Sequence, residues 1–233
     1  MGKDVIIALD FANKEKTLAF LDLFTEEKPF VKIGMELFYG EGPEIVKEIK
    51  GRGHKIFLDL KLHDIPNTVQ NAMRNLARLD VDMVNCHAAG TIEMMKAAQL
   101  GLQEGSPKTK PILLAVTQLT STSEERMDEE LLIHHPMEEV VAKYAENAKA
   151  AGLEGVVCSP LEASIVGNRC GSDFVTVTPG IRFDDNSKGD QVRVTTPINA
   201  KEIGSHYIVV GRPITSADNP VAAYRRCVKE FVG

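Results

Sequence analysis

Eight short runs rich in Val, Ile, Leu and Phe recur along the chain: VIIALD from Val5, FVKIGM from Phe30, KIFLDLK from Lys55, VDMVNCH from Val81, PILLAVT from Pro111, GVVCS from Gly155, DFVTVTP from Asp173 and YIVVGR from Tyr207. Between them lie amphipathic segments of helix-forming composition, among them NKEKTLAFLDLF, NTVQNAMRNLARL and MEEVVAKYAENAKAAG, the last ending at Gly152, where a helix C-cap is expected. A strand that reads as an unbroken apolar run must be covered on both faces, and strands alternating with helices meet that need in a parallel sheet. Eight such units in 233 residues predict a closed (β/α)8 TIM barrel, with residues 1–233 forming a single domain. An open doubly wound sheet is the alternative, but no G-x-G-x-x-G follows the first run.

Composition narrows the classes of function. Hydrophobic residues at 43% and charged residues at 26% suit a soluble globular protein, and the net charge of -6 is spread without a basic block, so a nucleic-acid partner is not expected. Cys86, Cys158, Cys170 and Cys227 form no C-x-x-C pair and read as reduced thiols. No run approaches the ~18 apolar residues of a membrane span, the N-terminal apolar run is too short for a signal peptide, and Ile6 stands where a myristoylation pattern needs Ser or Thr. The expectation is a cytoplasmic protein with no membrane partner.

Chemistry gathers at the strand ends. In FLDLKLHDI, residues 57–65, alternation puts Asp59 and Lys61 on one face and Leu58 and Leu60 on the other. Inside a barrel filled by side chains such charges fit only at the C-terminal rim, where Asp64 also falls. Asp10 ends the first run, and Lys32 lies in the second with Val31 and Ile33 facing the opposite way. Taken singly, each is a solvated strand end or a surface ion pair; as a set from three successive strands, they predict one charged opening. VVGRPITSADNP offers a second feature. Gly211 would let a ligand approach the backbone, Arg212 brings a fork suited to phosphate, and a helix is expected near Ser216 or Ala217. The long segment from Pro179 to Pro197 adds Arg182, Gln191 and Arg193, with Gly180 and Gly189 as hinges, and is expected to be a lid.

DLKLHDIPNTV resembles the D-x-K-x-x-D-I-P-x-T signature of the orotidine 5′-monophosphate decarboxylase family, and the similarity runs through ALDF, VKIGMELF, VTQLTSTS, VTPGIR, DQVRV and VVGRPIT, nearly the entire chain. The resemblance implies conversion of orotidylate to UMP and CO2 with neither cofactor nor metal. Lys61 would donate the proton, with Asp59, Lys32 and Asp64 completing a charged array. Asp64, Ile65 and Thr68 would enter the site of a neighbouring subunit in a homodimer with shared active sites. Asp10 would hold the ribose, and Thr122 the pyrimidine edge, although Thr120 and Ser121 compete for that contact. Gln191 would span base and phosphate, while Arg182, Gly211 and Arg212 would hold the phosphate. A magnesium-dependent enzyme acting on a sugar phosphate, with Asp59 and Asp64 near the metal, is the competing class, and a non-catalytic nucleotide-binding barrel is a third.

Overall fold

The computed structural model describes residues 3–106, 108–183 and 194–233. Each of the eight apolar runs is a strand: β1 (Asp4–Ala8), β2 (Phe30–Gly34), β3 (Ile56–Leu62), β4 (Met83–His87), β5 (Ile112–Val116), β6 (Gly155–Val157), β7 (Val175–Thr178) and β8 (Tyr207–Val210). All neighbours pair in parallel, and β8 pairs with β1 to close the barrel. The helices are α1 (Lys14–Leu21), α2 (Met35–Glu41), α3 (Pro43–Gly51), α4 (Pro66–Ala77), α5 (Thr91–Gly105), α6 (Glu124–Glu129), α7 (Met137–Ala150), α8 (Ala163–Cys170), α9 (Pro197–Ile203), α10 (Arg212–Thr215) and α11 (Pro220–Phe231). The helix expected near Ser216 or Ala217 is two pieces: one turn begins earlier, at Arg212, and a longer helix starts at Pro220 behind an Asn219 cap that accepts from the Ala222 N–H.

The period-2 alternation of the strands sorts their side chains into two apolar layers. Val5, Ile7, Val31, Ile33, Leu58 and Leu60 face outward and pack under the helices, where Met94 and Met95 of α5 are also buried. Ile6, Ala8, Phe30, Phe57, Met83 and Leu114 face inward and fill the barrel. Along each of β2, β3 and β4, the next inward residue towards the C-terminal end after Phe30, Phe57 and Met83 is polar: Lys32, Asp59 and Asn85 respectively. That change of residue type marks the floor of the site.

The β3–β4 ladder is irregular at this level. Leu58 pairs with Val84 and Leu62 with Cys86, so four steps along β3 are set against two along β4. Lys61 lies in this bulge with φ 51°, a left-handed conformation that costs a non-glycine residue about 1–2 kcal/mol. Among the described residues no helix is long and apolar enough to cross a membrane.

Candidate active site

Four side chains from three adjacent strands form a row of alternating charge. The Lys32 Nζ lies 3.1 Å from Asp10 Oδ1 and 3.5 Å from Asp59 Oδ2, and the Lys61 Nζ lies 2.6 Å from Asp59 Oδ1. Asp10 follows β1, Lys32 sits inside β2, and Asp59 and Lys61 are the inward residues of the β3 bulge. Asn85, which the sequence reading passed over, joins them from β4: its Nδ2 donates to Asp59 Oδ1 at 2.7 Å, and its Oδ1 accepts the Lys61 backbone N–H at 2.8 Å.

Burial alone would push the Asp59 carboxyl up, yet the charges of Lys32 and Lys61 and the hydrogen bonds from Lys61 and Asn85 outweigh it and hold Asp59 below the usual carboxylate range. Burial likewise opposes the charged form of Lys32, but the Asp59 and Asp10 carboxylates raise it above the ordinary lysine value. Both groups are therefore ionised at neutral pH. His87, at the end of β4, is held low by burial and by the nearby His63 and Lys61, with Asp59 opposing; its ring centroid lies 5.7 Å from that of His63.

Above the row is a cavity of about 240 Å³ whose lining includes Lys32, Asp59, Lys61, Gln118, Thr120, Ser121 and Pro179. Lys32, Asp59 and Lys61 of the row supply its charged lining, and Phe57, Val116, Val157 and Val209 are among its apolar lining. Thr120 and Ser121 reach the lining, whereas Thr122 follows in a turn and its N–H donates to Leu119 O. A second cavity of about 560 Å³ lies between the segment after β7 and the start of α11, lined by Arg182, Phe183, Arg212, Ser216, Asp218 and Arg226 among others. Arg226, a further cation that the sequence reading did not single out, stacks 4.1 Å from the Phe183 ring. The chain on either side of the long segment is tied together: the Arg182 N–H donates to Thr195 O and the Thr195 N–H to Gly180 O. Gln191, Arg193 and Gly189 lie outside the described residues.

Gly211 falls in sequence between Val209, which lines the first cavity, and Arg212, which lines the second. A methyl group added there would meet Ala8 Cβ at 3.7 Å and Asp10 Oδ2 at 3.9 Å, ordinary contacts, so protein packing does not require glycine at this position. Asp64, Ile65 and Thr68 are exposed, with Ile65 66% accessible, and none of the three lines the cavity above their own chain's charge row. Gly34 was also passed over: a methyl group there would approach Lys32 Nζ to 3.0 Å and Asp10 Oδ1 to 3.4 Å. The site thus offers a fixed ammonium, flanked by a carboxylate, at the floor of a pocket with apolar walls, beside an arginine-lined cavity. Such a site can stabilise and protonate a developing carbanion.

Comparison with known proteins gives a consistent result. The family described as Orotidine 5'-phosphate decarboxylase / HUMPS family matches residues 3–227. A protein of Bacillus cytotoxicus named Orotidine 5'-phosphate decarboxylase is 58% identical, with 100% of this chain and 99% of that protein covered. The crystal structure of Orotidine 5'-phosphate decarboxylase from Lactobacillus acidophilus superposes with a TM-score of 0.90 at 45% identity, covering 99% of this chain and 100% of that one. An uncharacterized conserved protein from Geobacillus kaustophilus gives a TM-score of 0.88 at 48% identity, over 97% of this chain and 99% of the other.

Proposed function

The chain belongs to the orotidine 5′-phosphate decarboxylase / HUMPS family, and from that premise we propose that it decarboxylates orotidine 5′-monophosphate to UMP in pyrimidine synthesis, with Lys61 as proton donor. The observation that carries this reading is the Asp10–Lys32–Asp59–Lys61 row, of which Lys32, Asp59 and Lys61 line the pocket. When the C6–carboxylate bond breaks, its electron pair stays on C6 in the plane of the ring, where the ring π-system does not delocalise it. An ammonium fixed beside C6 stabilises that pair and then transfers its proton to it, giving UMP; the amine is reprotonated from solvent. Asp59 keeps Lys61 aimed, and Lys32 ties Asp59 to Asp10, the residue assigned to the ribose.

Magnitude limits what the row does alone. Two unit charges at ~4 Å in an effective dielectric of ~20 interact by ~4 kcal/mol, against the ~8–23 kcal/mol of enzymatic acceleration in general. The remainder is assigned to binding energy at the phosphate, gripped by Arg182, Arg212, Gly211 and Gln191 and used to exclude water around the charges. Thr122 or its neighbours Thr120 and Ser121 would hold the pyrimidine edge. Asp64, Ile65 and Thr68 would complete a second subunit's site in a homodimer; their exposure and their absence from their own chain's pocket support this. Both oxygens of Asp59 already face cationic or amide donors, which favours the charge-row chemistry over a metal-bridged one.

The test follows the loss of orotidylate absorbance by purified protein in EDTA. Wild type is expected to turn over, and Lys61→Ala to lose about 10²–10⁴-fold or more in kcat, the range of a positioned general acid. Undiminished turnover in the variant removes Lys61 as donor, and loss of wild-type activity with chelator restores the metal-dependent reading.

A further inference from the structure

We infer that Asn85 is a positioning residue for this reaction: its carboxamide ties the Lys61 backbone to the Asp59 carboxylate and so sets where the Lys61 ammonium stands. The inference rests on the decarboxylase reading above.

Asn85 occupies an inward position on β4, one layer above Met83, and is 1% exposed. A buried amide left without partners costs about 1–3 kcal/mol, so its presence in place of an aliphatic residue needs a reason. Both ends of the amide bond to β3, the acceptor to the Lys61 N–H at 2.8 Å and the donor to Asp59 Oδ1 at 2.7 Å. Chemistry fixes the orientation: a backbone N–H can only donate and an ionised carboxylate can only accept, so a flipped amide would oppose both. The site of this bridge is where the β3–β4 ladder slips, between Leu58 and Leu62. There the Lys61 N–H is satisfied by a side chain, and Lys61 is held at φ 51°, a conformation that persists when its surroundings over-determine it. One side chain therefore secures both the strained backbone from which the proton donor projects and the carboxylate that the donor's ammonium meets at 2.6 Å. A displacement of about 1 Å in such a constellation costs roughly 10²-fold in rate.

Two variants test this by steady-state kinetics with orotidylate, with circular dichroism to confirm folding. Asn85→Leu keeps the branched outline at a somewhat larger volume and removes both bonds. It is expected to lower kcat about 10²-fold while KM stays within about threefold, because Arg182 and Arg212 are untouched. Asn85→Asp gives a readout that a merely structural role would not move. The ionised carboxylate would face Asp59, whereas the protonated one can accept from the Lys61 N–H and donate to Asp59, reproducing the amide. The charged or titratable groups around the position are Asp59, Lys61 and His63 from β3 and its C-terminal end, Lys32 from β2 and His87 on the same strand; Leu114, in register on β5, is uncharged. Two carboxyls this close share a proton with a raised pKa, so the ratio of Asn85→Asp to wild-type kcat should rise at least about tenfold as pH falls from about 8 to about 5.5. If Asn85→Leu fails to fold, that ratio decides alone. A kcat within about threefold of wild type for folded Asn85→Leu, or a deficit in Asn85→Asp equal at both pH values, overturns the role. Wild-type protein that leaves orotidylate unchanged would instead overturn the decarboxylase reading and this role with it.

Discussion

At Gly34 the lack of one methyl group leaves room for the Lys32 ammonium. An added Cβ would stand 3.0 Å from Nζ, tighter than ordinary contact, and 3.4 Å from Asp10 Oδ1, while the backbone at φ -88° and ψ -178° is extended and open to any residue. The lysine's flexible end can give way, so the fold should tolerate the change and the charge row should not. Gly34→Ala is expected to leave stability within about 1 kcal/mol, the scale on which Gly-to-Ala changes act through the unfolded chain. Its kcat should fall about tenfold or more as Lys32 is displaced from Asp10 and Asp59, a geometric penalty of the kind that misplacement brings. Thermal unfolding and kinetics on the same preparation check this, and an unchanged kcat would show that Lys32 can shift without consequence.

Among the helices, α4 and α5 approach each other backbone to backbone. A methyl group on Gly101 would lie 2.1 Å from Gln70 O, and one on Gly105 would lie 2.2 Å from Arg74 O; the side chains of Gln70 and Arg74 bond Glu104 across the same seam. On helix propensity alone Gly101→Ala should stabilise by roughly 0.5–1 kcal/mol. The carbonyl of a neighbouring helix cannot rotate away as a side chain can, so we expect net destabilisation of about 1–3 kcal/mol, the cost of overpacking. A melting temperature equal to or above wild type would refute that close packing. The seam also bears on the site, because α4 carries Thr68 in its first turn and follows directly on Asp64 and Ile65. The seam was not legible in TIEMMKAAQLGLQ, where the glycine is another small residue on an amphipathic helix. The strands were legible because burial on both faces leaves unbroken apolar runs, and period-2 alternation correctly put Lys32, Asp59 and Lys61 inside the barrel while Val31, Ile33, Leu58 and Leu60 went outside. What alternation could not convey was the slipped ladder at Lys61, which depends on pairing with β4, and hence the role open to Asn85, one asparagine in an apolar run. The turn of helix at Arg212 was missed for a similar reason: four residues are too few to show a period.

Across the whole molecule, the charged groups of the site and the neutral histidines around the barrel respond to acid in different windows. Asp59 is depressed, so its stabilisation is present above the unfolded carboxylate value of about 3.9 and fades only as pH falls through its lower folded value; Lys32 is raised, so its contribution persists below about 10.4 and is lost as pH rises through its folded value. Neither titrates between about pH 5 and 9. The histidines do. His54 is buried and bonds Pro29 O through Nδ1, His87 lies near Lys61 and His63, and His206 accepts the Thr176 N–H at Nδ1 while its Nε2 faces Ser172 O. Burial, the first cause in all three, holds each below the usual imidazole value; protonating His206 at Nδ1 would also set a new N–H against the Thr176 N–H. For a base with a lowered folded pKa, the unfolded chain binds the extra proton, so stability falls as pH drops through about 6.5 towards the folded values, at about 1.4 kcal/mol per pH unit for each proton taken up. The melting temperature should therefore be level from about pH 7 to 9, decline from about 6.5 to 5, and fall again below about 4 as the carboxylates protonate. His206→Asn, whose Oδ1 can accept the Thr176 N–H but cannot titrate, should flatten part of the first decline and leave the second unchanged. A melting temperature that holds level between about pH 7 and 5 would mean that these three imidazoles take up protons in the folded chain as readily as in the unfolded one.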